Sequence, residues 1–98
     1  MTQEGSENSN SIDLPPTMGA EVIEQVADDL LARRGEDLSI NASAVERIDT
    51  PGVEMLIAAT QLWQKDDQAL SYSERSPKFE DTLRVLGIDP KLLEHGVE

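Results

Sequence analysis

"LSINASAVERIDTPGVEMLIAA", residues 38–59, joins two periodicities end to end. Leu38 to Ala42 alternate apolar and polar side chains, as a half-buried strand does. From Pro51 onward the apolar residues recur at helical spacing, and the pattern predicts a helix to about Asp67. Between the two, Asp49, Thr50, Pro51 and Gly52 place an acid, a hydroxyl, a proline and a glycine in succession. A hydroxyl followed by proline reads as a helix start, with Thr50 as N-cap and Pro51 at the first helical position. Gly52 lets a neighbouring backbone come close.

The helix after Pro51 carries two apolar stripes. Met55, Ala58, Ala59 and Leu62 make one, and Val53, Leu56, Ile57 and Thr60 make the other. One apolar face suffices for a surface helix. A second implies burial on both sides or an exposed patch for a partner. A chain of 98 residues has little material with which to bury both, so a partner is the expectation. Trp63 reads as a core anchor, with an interface hot spot as the alternative.

Working outward, Val22, Ile23, Val26, Leu30 and Leu31 define one face of a helix over 18–34. Thr17 is its expected N-cap, Arg33 and Arg34 fill the last turn, and Gly35 ends it. Ser11 to Leu14 is a short extended segment stopped by Pro15 and Pro16. Residues 1–10 hold no apolar residue after Met1 and are expected to be a disordered tail ahead of a single domain, 11–98. Downstream, residues 69–73 (ALSYS) read as a strand. Ser76 or Pro77 opens a helix with Phe79, Leu83 and Leu86 along one side and Gly87 at its end, and a short turn over 90–96 follows. Strands alternating with helices define an α/β class with a small mixed sheet flanked by helices.

Twenty acids against eight bases give a net charge of −12. Such a surface repels nucleic acid and anionic membranes and attracts a basic protein face. No cysteine is present, and no run of 18 apolar residues exists to span a bilayer. The polar N-terminus does not resemble a signal peptide, so a cytoplasmic location is expected. A nucleophile needs a base and an orienting group. The only histidine, His95, lies near the end of the sequence and reads as a solvated side chain. The acidic pairs Asp28–Asp29 and Asp66–Asp67 read as solvated faces, since sequence neighbours on a helix point apart. The expectation is a non-enzyme that needs no metal and no cofactor.

The 38–59 segment resembles the strand, loop and helix of the STAS domain family of anti-sigma factor antagonists, whose form is LDLSxVxxhDSSGhxxLh with h apolar. "SPKFEDTLRVLGI", residues 76–88, is similar to that family's penultimate helix, and the resemblance runs from about Ile12 to Gly96. It implies a STAS-like fold and a role in binding another protein. The family's strand aspartate is Asn41 here, and its N-terminal strand reads as truncated. The hydroxyl phosphorylated in partner-switching members falls at Pro51, leaving Thr50 as the candidate phosphorylation site. An anion at a helix N-terminus would be favoured by free N–H groups, although Pro51 removes one donor.

Three settings follow from the resemblance: anti-sigma-type kinases, chemotaxis-type histidine kinases, and the ATPase of lipid-trafficking ABC transporters, whose STAS subunits carry a similar Asp-Thr-x-Gly. A signalling kinase is the expected partner and the transporter ATPase the alternative. The expected partner surface is Asp49, Thr50, Pro51, Glu54, Met55 and Ala58.

Overall fold

The computed structural model describes residues 10–96. Its elements, in order, are β1 (Ser11–Asp13), β2 (Thr17–Met18), α1 (Ala20–Ala32), β3 (Leu38–Ala42), β4 (Arg47–Ile48), α2 (Thr50–Lys65), β5 (Leu70–Arg75), α3 (Pro77–Leu86) and a 3-10 turn, Pro90–Leu93. The expected tail and the missing part of the N-terminal strand fall mainly on residues 1–9, outside the described residues. Asn10 already belongs to the sheet, where its carbonyl accepts from Ser39 N at 3.1 Å.

β3 is the centre of a parallel sheet ordered β1-β3-β5. The expected alternation is present along it: Leu38, Ile40 and Ala42 are buried while Ser39 and Asn41 are half-buried. An antiparallel bridge between Leu70 and His95 makes the sheet mixed. The His95 backbone exchanges hydrogen bonds of 2.8 and 2.9 Å with Leu70. Buried side chains from strands and helices alike, among them Met18, Leu30, Ile40, Leu56, Trp63, Phe79 and Leu83, form one core.

β2 and β4 lie in what reads from sequence as loop. They form a second parallel pair, Thr17 opposite Arg47 and Met18 opposite Ile48. Each strand runs directly into a helix, so the N-termini of α1 and α2 start side by side. This corrects the expected cap of the first helix. Thr17 is held extended in β2, and Gly19 is the N-cap, with no side-chain bond. The helix also ends earlier than expected. Arg33 is its C-cap and Arg34 lies beyond it.

α3 matches its reading closely. Ser76 caps it by accepting from Phe79 N at 3.0 Å, and Gly87 closes it in the left-handed region at φ 74°. β5 runs two residues further than the 69–73 expectation, with a register irregularity against β3 beside Ile40.

Candidate functional site

The N-cap of α2 is Asp49, not Thr50. Asp49 is extended (φ −91°, ψ 165°) and its carbonyl accepts the first helical bond from Val53 N at 3.1 Å. Thr50 is the first helical residue, and neither side chain makes a capping hydrogen bond. The cap therefore falls one residue earlier than expected, because Asp49 N is tied to Met18 O at 3.3 Å and the β2–β4 pairing holds Asp49 extended. The Asp49 carboxylate faces Arg47 Nε at 3.4 Å. It also approaches α1: a Cβ at Gly19 would lie 3.6 Å from Asp49 Oδ2 and 3.5 Å from Glu21 Oε1.

Gly52 explains how the two helix starts come so close. A Cβ there would sit 3.1 Å from Met18 O and 3.0 Å from Ile48 Cγ1, so the first turn of α2 presses on the β2–β4 pair.

Of the six expected partner residues, Thr50, Pro51, Glu54 and Ala58 are exposed, while Asp49 and Met55 are half-buried. Pro51, Glu54, Met55 and Ala58 follow i, i+3, i+4, i+7 and form one outward strip. Both apolar stripes of α2 are less available than expected. Val53, Leu56, Ala59, Thr60 and Trp63 are buried, and Met55, Ile57 and Leu62 are half-buried against the core. Thr60 satisfies its hydroxyl by donating to Leu56 O at 2.9 Å. Trp63 is fully buried and donates its indole N–H to Glu36 O at 2.8 Å, which makes it a core anchor.

Sequence reasoning missed the contribution of α1. Leu31, counted there with the inward face, is 51% exposed. With Ala27 it borders a small apolar cleft against Met55, Ala58 and Leu62. The only signal for this was that Leu31 sits at the edge of the apolar stripe.

Asp66 is not a free solvated acid either. Arg34 pairs with it through two hydrogen bonds, which hold the Asp66 carboxyl below its ordinary range and raise the Arg34 guanidinium. Asn41 bridges two strand ends. Its amide donates to Asp13 Oδ1 at 3.1 Å and its Oδ1 accepts from Ser43 N at 3.0 Å. A carboxylate in its place could not donate to Asp13, which rationalises Asn where the resembled motif has Asp.

Among the described residues, no three His, Cys, Asp or Glu side chains are grouped to hold a metal ion, and no helix is long and apolar enough to cross a membrane. The arrangement is a small α/β module whose outward features are a helix start and an acidic, partly apolar helix face. A family model described as "Mlab, STAS domain" matches residues 1–94. The chain belongs to the STAS domain family, whose members are regulatory modules that mediate protein–protein interactions. A search of curated proteins returns no significant match.

Proposed function

We propose that this chain is a non-catalytic, cytoplasmic docking module of bacterial signalling that binds a kinase, of the anti-sigma or chemotaxis histidine type, through the start and outer side of α2. The observation that carries the reading is the strip of Thr50, Pro51, Glu54 and Ala58, all exposed around half-buried Met55 at a helix N-terminus. Asp49 and Glu54 supply negative charge to a basic partner, and Met55 and Ala58 supply the apolar centre. Thr50 serves as the switch: its side chain is exposed and not committed to the cap, so a phosphate there meets the helix dipole and changes the charge that the basic partner face meets. The absence of cysteine and a single histidine support the non-catalytic part.

A second reading has its own support. The matching family's description carries the word Mlab, and Asp-Thr-x-Gly resembles the STAS subunits attached to the ATPase of lipid-trafficking ABC transporters. In that setting Thr50 is a contact residue and is never modified.

Calorimetric titration of the full chain with the purified kinase, and separately with the purified transporter ATPase, tests both. Binding to the kinase that is lost in Met55→Glu and in Ala58→Glu, with helix content unchanged by circular dichroism, supports the first reading. Binding to the ATPase alone moves the protein to the second. Full kinase affinity in Ala58→Glu means the proposed face is wrong.

A further inference from the structure

We propose that the groove between α1 and α2 seats a cationic amphipathic helix of the partner, so that an apolar side chain enters the cleft and lysines or arginines meet an acidic rim. The inference deepens the docking reading and rests on it.

α1 and α2 run in the same direction. They start side by side at the β2–β4 pair, and Arg34 and Asp66 join their far ends. Between them lies a cleft of about 140 Å³, with Ala27 and Leu31 on one wall, Met55, Ala58 and Leu62 on the other, and fully buried Trp63 beneath. Small-molecule sites occupy roughly 300–1,000 Å³, so this volume suits one or two side chains rather than a ligand. Leu31 and Ala58 remain exposed at its lips. A channel between two parallel helices accepts a third by ridge-into-groove packing, the helix-in-groove mode of recognition.

Charge selects the occupant. On α1, Glu24 and Asp28 stand one turn before Ala27 and Leu31 on the outer flank, and on α2 Glu54 stands one turn before Ala58. All three are exposed, and none belongs to an ion pair among the described residues. Arg34 is occupied by Asp66, which leaves Lys65 at the far end of α2 as a cation on that flank. A second copy of this chain, also at −12, would set these acids against themselves. A basic helix neutralises them while its apolar side fills the cleft.

The test uses the full chain labelled at the methionine ε-methyls, which separates Met55 in the groove from Met18 in the core. The probes are two synthetic helical peptides of about 15 residues, with leucines at i, i+3, i+4 and i+7, one otherwise lysine and alanine, the other glutamate and alanine. The lysine peptide shifts the Met55 methyl and leaves Met18 unmoved. Leu31→Glu or Ala58→Glu abolishes the shift. The combined Glu24→Gln, Asp28→Asn, Glu54→Gln variant weakens binding by about tenfold, as three partly exposed pairs allow.

Equal binding of the glutamate peptide, or a lysine-peptide footprint that spares Met55, overturns the proposal. So does a Met55 shift that grows with protein concentration alone, which would assign the groove to a second copy. A kinase that binds Leu31→Glu normally but not Met55→Glu sinks the groove helix and leaves the docking reading standing. A groove that seats the lysine peptide in a chain that ignores the kinase does the reverse.

Discussion

Arg34 and Asp66 lock the far ends of the two long helices together: Nε donates to Oδ2 at 2.7 Å and Nη2 to Oδ1 at 3.1 Å, a two-pronged contact across 32 residues of sequence. The planar guanidinium fits a carboxylate in this way, which a lysine could not. The lock fixes one end of the α1–α2 groove, while the β2–β4 pair fixes the other.

The pH dependence of this lock has a definite sign. Hydrogen bonding from Arg34 lowers the Asp66 carboxyl, so its stabilisation is present above the ordinary carboxylate range and is lost as pH falls through the lowered value. The stability gap between wild type and Asp66→Asn, measured by urea melts, is expected to close as the solution is taken below about pH 4. It is also expected to shrink with added salt. A gap that stays constant into acid would mean that the asparagine variant is destabilised by something other than the lost ion pair.

Two of the hydroxyl residues that read as helix starts, Thr50 and Ser76, are expected to behave oppositely. Thr50 makes no capping bond, so Thr50→Ala should change stability by less than about 0.5 kcal/mol. Ser76 is buried, caps α3 through Phe79 N and donates to Val45 O. Ser76→Ala removes the cap and leaves a buried carbonyl short of a donor, a loss of about 2–3 kcal/mol. Chemical denaturation of the two variants side by side checks the contrast, and a Thr50→Ala loss near that of Ser76→Ala would restore Thr50 as the cap.

These cases also show what was legible beforehand. β3 was readable because its five residues alternate between buried and half-buried, and α3 because Ser76-Pro77 and Gly87 mark its two ends in chemically distinct ways. β2 and β4 were not, since two-residue strands carry no period and exist only because Met18 and Ile48 meet across the fold. The cap of α2 slipped by one residue because Asp49 and Thr50 are both good cap types, and only the strand pairing decides between them. The strip on α2 could be read from spacing. Its continuation onto α1 could not, because which side of Leu31 is covered depends on where α2 lies.

Gly52 should resist replacement even by the best helix former. Alanine gains about 1 kcal/mol over glycine inside a helix. Its Cβ, however, would meet Met18 O at 3.1 Å and Ile48 Cγ1 at 3.0 Å. The isoleucine can rotate, whereas the Met18 carbonyl is held by pairing and by Asp49 N, so the clash of about 1–3 kcal/mol prevails. Gly52→Ala is expected to be net destabilised by about 1–2 kcal/mol and to loosen the α2 start, seen as faster amide exchange at Asp49 and Val53. A more stable Gly52→Ala would show that the helix start can back away from β2.

Tyr72 offers the opposite case, a deletion that should help. Its hydroxyl is buried and has no hydrogen-bond partner among the described residues, while its ring packs on Phe79 at 5.7 Å. Burial, reinforced by the nearby Glu94 charge, pushes the phenol well above its ordinary value. Tyr72→Phe keeps the ring contact and removes an unpaired polar group, whose burial costs about 1–3 kcal/mol. A gain of about 1 kcal/mol is expected, a rise of roughly 4–8 °C in Tm for a domain of this size. The alkaline limb gives an independent check. A raised folded-state pKa means the neutral phenol's contribution is complete below about pH 10 and is lost as pH climbs past it, because the unfolded chain releases that proton first. Wild type should therefore lose stability above that pH more steeply than Tyr72→Phe. If the phenylalanine variant is instead less stable at neutral pH, the hydroxyl has a partner in solution, and the nearby Glu94 carboxylate is where to look for it.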